Sequence, residues 1–185
     1  KFIKASEIKK GDYLIVPSIK YNKNIESINL LNFIKDKKYY ENETQIFSNC
    51  ASSKLNKIIP INEETLGLFG LYVAEGSSGS AFSVAMNRSK EQEYLELAEN
   101  TLIKYFNIKS YRVPRDYEDS EEVRAHSRLL ENCFNNMFGE GAFNKIIPEF
   151  IFNLPKEKLT HFLEKLFIGD GCDTHSPHGK RVISY

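Results

Sequence analysis

The stretch LGLFGLYVAEG, residues 66–76, joins an apolar run rich in small residues to an acid and a glycine. An acid at the C-terminal end of a helix is mildly unfavourable, because the helix dipole is already negative there. Glu75 therefore asks for a compensating cation. Upstream, Asn62 can cap a helix whose first turn carries Glu63 and Glu64 at the positive end of the dipole, and Gly76 stands where a left-handed C-terminal glycine belongs. The pattern predicts a helix over 63–75. The same ending recurs in LFIGDG, residues 166–171, after a second helix that Pro155 opens. Its acid, Asp170, lies 95 residues beyond Glu75. Gly67, Gly70 and Ala74 line one side of the first helix, so another helix can approach closely along that seam. A parallel partner would bring Glu75 and Asp170 out side by side. Two carboxylates with two sets of terminal carbonyls make an oxygen-rich site suited to Mg²⁺, which chiefly serves phosphoryl chemistry.

Around these two endings the chain reads as an α+β protein. Phe82, Val84 and Met86 alternate with Ser83, Ala85 and Asn87 in a strand over 80–87. An amphipathic helix follows over 90–107, then strands in 110–117 and 121–127, and a helix over 128–138. Residues 1–19 read as two short strands about a Gly11-Asp12 turn, and 20–60 as a spacer or accessory element with one short helix within 25–36. The 13 Phe and 10 Tyr suit a core better than a base-stacking platform. Lys and Arg number 25 against 25 Asp and Glu, so a nucleic-acid partner would be held by local patches rather than by net charge. No apolar run approaches the roughly 20 residues that span a bilayer, and the basic start lacks a signal peptide's apolar stretch. A cytoplasmic, prokaryotic-type location with no membrane partner is the expectation. Cys50, Cys133 and Cys172 have no metal-ligand spacing and are odd in number, which fits reduced thiols.

The two motifs resemble the paired signature of the LAGLIDADG (DOD-type) homing endonucleases, in the version embedded in inteins. KASEIKKGDYLIVP, residues 4–17, is similar to the part of an intein splicing (Hint) domain that leads into the endonuclease. FNKIIPEFI, residues 143–151, resembles the intein segment that carries a catalytic lysine, here Lys145. The resemblance implies an antiparallel sheet saddle with paired central helices. It divides the chain into a Hint remnant (1–19), an accessory element (20–60), a first LAGLIDADG subdomain (61–153) and the start of a second (154–185). It further implies that Glu75 and Asp170 hold Mg²⁺ or another divalent cation such as Mn²⁺, and that Lys145 assists the attacking water or the phosphorane charge. The reaction would be a staggered double-strand cut in a long duplex DNA target. The partners would be that DNA and the host protein interrupted by the intein, within a parent that is a monomer of two pseudo-symmetric halves. On the saddle strands Ser83, Asn87, Arg112, Arg124 and His126 are types that reach phosphates or base edges; an ordinary solvated strand face is the plain reading of each.

Three departures from the family's pattern stand out. Lys165 occupies a position in the second motif where the family commonly has Gly, so its side chain must snorkel out of the seam or the helices must part. Glu75 replaces the commoner Asp. Only 15 residues follow Asp170, and the chain has neither an intein's N-terminal Cys or Ser nor its C-terminal His-Asn pair. The expectation is a fragment of a longer intein, with one strand in 179–185, that neither splices nor cuts both strands alone. The alternative function is a degenerate LAGLIDADG nucleic-acid-binding module or maturase without cleavage activity.

Overall fold

The computed structural model describes residues 7–11, 23–35, 39–48, 54–115, 118–170, 172–175 and 181–184. In chain order its elements begin with five short strands: β1 (Ser27–Asn29), β2 (Tyr39–Glu41), β3 (Gln45–Ser48), β4 (Lys54–Asn56) and β5 (Ile58–Pro60). Then come α1 (Glu63–Glu75), β6 (Gly76–Ser78), β7 (Phe82–Asn87), α2 (Gln92–Phe106), β8 (Tyr111–Arg115), β9 (Ser120–Ala125) and α3 (Arg128–Phe138). The last elements are α4 (Glu149–Phe152), α5 (Lys156–Asp170), β10 (Cys172–His175) and β11 (Arg181–Ser184). The fold class is α+β.

Asn62 starts the organising helix. Its side chain accepts from the Thr65 amide, and the Thr65 hydroxyl accepts from the Asn62 amide, each at 3.1 Å. This reciprocal pair satisfies a helix N–H group that would otherwise lack a partner and fixes where α1 begins. Residues 65–72 are fully buried, so α1 is a core helix rather than an amphipathic surface one. Its end corrects the sequence reading. Gly76 is extended, with φ −85° and ψ 152°, not left-handed, and it is already the first residue of β6. Space rather than backbone freedom calls for glycine there: a Cβ would lie 2.3 Å from Tyr72 Cδ2 and 2.4 Å from the Tyr72 carbonyl oxygen.

The central sheet is antiparallel in the order β6-β7-β9-β8. Phe82, Val84 and Met86 of β7 face the helices, as do Val123 and Ala125 of β9, and all five are buried. Phe134 of α3 completes this layer, its ring 4.8 Å from those of Tyr72 and Phe82, both edge-on. The described aromatics thus concentrate in the core, in line with the sequence reading. After α3 the chain turns through Gly139 and Gly141, at φ +83° and +73°. A Cβ on Gly139 would also stand 1.9 Å from the Asn144 carbonyl oxygen, so this turn admits glycine on both grounds.

Of the two readings of 20–60, spacer or accessory element, the packing of the described residues 23–35, 39–48 and 54–60 fits the second. β1 pairs antiparallel with β5, and β2, β3 and β4 form a second small sheet. Ile28, Leu30, Ile34, Ile46, Leu55 and Ile59 are buried in the same cluster as α1 and the central sheet. The helix expected within 25–36 is a single 3₁₀ turn, Leu30–Phe33, capped by Asn29 after a strand. Its apolar residues have helical spacing, but the preceding residues are claimed by pairing with β5. At the other end, β10 and β11 form an antiparallel hairpin, where the sequence suggested one strand. Most of 1–19 lies outside the described residues; Gly11 takes φ +104°, which suits the expected turn. Cys133 is a free, buried thiol whose pKa is pushed up by burial, and Cys50 and the Cys172 side chain lie outside what is described. Among the described residues, no helix is long and apolar enough to cross a membrane.

Candidate functional site

The two motif helices meet where their glycines permit. A Cβ on Gly70 would lie 2.4 Å from the Phe162 carbonyl oxygen and 2.9 Å from the Leu166 amide, so backbone packs on backbone. Further along, a Cβ on Gly169 would lie 2.4 Å from Ala74 Cβ and 3.0 Å from Glu75 Cγ. Both sets of contacts advance together, which makes α1 and α5 parallel, as the sequence predicts. Lys165 does not force them apart. Its stem runs over Gly67 and Gly70, and its ammonium reaches the Tyr94 ring, 5.2 Å from the centroid. It snorkels out of the seam through the space those glycines leave.

Parallel packing brings the two acid-bearing ends together. Glu75 ends α1 and touches Gly169, the residue before Asp170, which closes α5. The Asp170 side chain lies outside what is described. Beside this junction opens a cleft of about 410 Å³, lined by Glu75, Gly169, Asn87, Glu91, Arg115 and Asp119 among others. Lys145 stands at the same end of α1. Its ammonium donates to the Tyr72 carbonyl at 2.6 Å and lies 3.6 Å from the centroid of the Tyr72 ring. It is thus a cation at the negative end of the α1 dipole, the compensation that an acid in that place calls for. The ring beneath it is held in turn: the Tyr72 hydroxyl and Ser78 Oγ are 2.5 Å apart, Ser78 Oγ donates to Asn135 Oδ1, and Asn135 Nδ2 donates to the Ser78 carbonyl at 3.2 Å. Burial pushes the Tyr72 pKa up, outweighing the Ser78 hydrogen bond, so the phenol stays neutral.

The outer face of the central sheet follows from register. Because Val84, Val123 and Arg112 lie side by side across β7, β9 and β8, Arg112 shares the inner face with the two valines. That is not the outward place expected of a saddle contact. Arg112 instead clips β8 to α2, with Nε donating to Glu99 Oε2 at 2.9 Å and Nη1 reaching Gln92 and Glu121. The outward residues of that strand are Tyr111, Val113 and Arg115, and the sequence reading missed the last, a second arginine on this face. Arg124 does face outward, paired across to Ser83 and Tyr111. Ser83 also points that way but is buried, its hydroxyl 3.0 Å from Ser77 Oγ, so it is not an open contact residue. Asn87 uses Oδ1 to accept the amides of Ser89 and Lys90 at 3.1 and 2.9 Å, shaping the turn after β7. His126 is exposed just past β9, its Nε2 2.5 Å from the Tyr111 hydroxyl. Between the arginines sits Glu122, also missed. It is buried, and although burial raises its pKa, hydrogen bonds from Arg124 and Arg115 hold it below the ordinary value. The alternation Glu122, Arg124, His126 about Val123 and Ala125 was the available signal. No comparable signal marked Arg115, because Val113 faces out and Arg112 in.

Among the described residues no group of three His, Cys, Asp or Glu side chains could hold a metal ion. A Mg²⁺ site does not need such a cage, since that ion commonly keeps several waters and takes one or two carboxylates together with substrate phosphate. Glu75 at the cleft wall fits that manner of binding.

No protein-family model matches the chain. It is similar to part of a DNA polymerase from Thermococcus kodakarensis, 33% identical over 130 residues, covering 66% of this chain and 7% of the relative. A DNA-directed RNA polymerase subunit Rpo1C from Methanocaldococcus jannaschii is 29% identical over 180 residues, covering 91% of this chain and 20% of the relative. An ATP-dependent DNA helicase Hel308 from Thermococcus kodakarensis is 30% identical over 130 residues, covering 69% and 12%. The chain therefore spans between 7% and 20% of these curated relatives, and its homology is to one segment within each of several differently named nucleic-acid enzymes.

Proposed function

We propose that the chain belongs to an intein-borne homing endonuclease of the LAGLIDADG kind, which makes a site-specific, staggered double-strand cut in DNA. The observation that carries this reading is the parallel packing of α1 and α5, with Glu75 against Gly169 beside a cleft at the rim of a sheet. The comparisons add support of another kind. A DNA polymerase, an RNA polymerase subunit and a helicase share no single reaction, yet each has a segment like this chain in a small part of its length. A portable inserted element explains that distribution; a part of each host's own machinery does not.

In this mechanism Glu75 and Asp170 are the residues that would hold Mg²⁺ or Mn²⁺ at the paired helix ends. The bound cation would polarise the scissile phosphate and lower the pKa of a water. Lys145, fixed on the Tyr72 carbonyl and ring, places a positive charge where the phosphorane develops. The outer sheet face, with Arg115, Arg124, Tyr111 and His126, lies against the duplex. Asn87 and Ser83 shape that face more than they read from it. Lys165 lies along the seam without opening it, so it gives no support to a degenerate, non-cutting module.

The test uses the protein that carries this sequence and a plasmid bearing the host gene without the insertion. Linear product in Mg²⁺ is expected, and Glu75→Gln or Asp170→Asn should abolish it while gel-shift binding stays within a few-fold of the parent. Cutting by either variant at the parental rate would show that these carboxylates do not do the chemistry.

A further inference from the structure

One acid lies in the middle of the outer sheet face, and two arginines close on it from different strands. Glu122 of β9 pairs across to Val113 of β8 and Ala85 of β7, with Arg115 opposite Ser120 on one side and Arg124 two residues along on the other. Its side chain is only 4% exposed, while those of Arg115 and Arg124 are 51% and 37% exposed. Each arginine takes its own carboxylate oxygen. Arg115 Nε donates to Oε1 at 2.8 Å, and its Nη2 donates to the same atom. Arg124 Nε and Nη2 donate to Oε2 at 3.2 and 2.5 Å.

The edges matter. A guanidinium offers its donors along distinct edges in a rigid plane. Glu122 occupies the Nε/Nη2 edge of both arginines and leaves the Nη1/Nη2 edge of each clear of carboxylate, with the Tyr111 hydroxyl as a further neighbour of Arg124. Arg115 Nη1 comes no nearer than 3.9 Å to Glu118 Oε2, beyond hydrogen-bond range. The two remaining edges match a planar pair of acceptors, and in the major groove that pair is O6 and N7 of guanine. A phosphate also accepts a guanidinium fork, but the carboxylate offsets one of the two positive charges, which weakens the pull on an anion more than the pull on a neutral base edge.

We propose that Glu122 is a specificity-determining positioning residue that presents Arg115 and Arg124 as two fixed forks to guanines on neighbouring base pairs of a DNA duplex. This rests on the DNA-binding reading of the sheet and names what that sheet recognises. The experiment is selection of a randomised double-stranded DNA pool by the 185-residue chain at low salt, with the bound pool sequenced. The wild-type chain should enrich duplexes with two nearby guanines. Glu122→Gln should bind unselected duplex at least as tightly, because an anion has left the face, while the guanine preference falls about tenfold, within the range for a bidentate contact. Arg115→Lys and Arg124→Lys keep the charge and lose the fork, so each should erase one guanine position and leave the other. They decide the matter even if Glu122→Gln does not fold. Guanine preference intact in all three variants, or a thermal midpoint lowered with preference unchanged, would overturn the proposal and leave Glu122 a structural residue. Failure of the wild-type chain to retain any duplex would instead overturn the DNA-binding reading, and the proposal with it.

Discussion

Lys145 and Glu122 show how a single side chain can be legible or hidden in sequence. Lys145 was legible through its motif, and its position explains itself physically: an ammonium over the Tyr72 ring and on the Tyr72 carbonyl offsets the negative end of α1. Lys145→Ala is therefore expected to lower folding stability by about 1–2 kcal/mol, from the lost dipole and ring interactions, read as a fall in the thermal midpoint. Under the proposed function the same substitution slows cutting without removing DNA binding. Glu122 was hidden because its burial depends on two arginines that only register brings beside it. Its pKa is lowered in the fold, so the stability it contributes is present above the ordinary value of 4.5 and is lost as pH falls through the folded value. Glu131 acts in the opposite sense, since burial raises its pKa. The comparison that isolates Glu122 is thus between variants: Glu122→Gln should show a shallower loss of thermal midpoint below about pH 4.5 than the wild-type chain.

At the scale of elements, the helix pair was the most readable part of the chain. Small residues at 67, 70 and 74 marked the seam, and the repeated endings marked its direction. The seam also makes a prediction. Gly70 faces the Phe162 carbonyl oxygen and Gly169 the Ala74 methyl, each at 2.4 Å from a built Cβ, and neither atom can move without its backbone. Gly70→Ala and Gly169→Ala should each lower stability by roughly 2–3 kcal/mol, toward the upper end for overpacking, as measured by urea denaturation. Negligible effects would mean that the helices slide apart at little expense. The edge strand β8 was read with the wrong face outward for an equally physical reason. Its inner face meets the polar side of α2 through Glu99 and Gln92, so hydrophobicity there does not mark the inside.

For the whole molecule, the least legible part was the stretch before α1, readable as spacer or accessory element, whose Asn, Lys and Ser content disguises a handful of fully buried apolar side chains. Leu30, Ile46, Leu55 and Ile59 have no exposed surface and pack in the cluster that includes α1. A chain beginning at residue 61 should therefore lose cooperative urea unfolding, with a smaller denaturant slope and increased binding of an apolar dye. The passage from α1 to the sheet carries a different consequence. Glu75 is the last residue of the helix and Gly76 the first of β6, with no loop between them. Under the proposed function, the bond that is cut and the bases that are read are gauged against each other by one peptide link, so the molecule carries its own ruler. Substitutions on the outer face can change which sequence is chosen while the offset to the cut stays fixed. One extra glycine inserted after Glu75 should leave duplex binding within a few-fold and abolish or displace cleavage, which sequencing of the product ends would reveal. A scaffold of this kind lets its address be rewritten without recalibrating its blade.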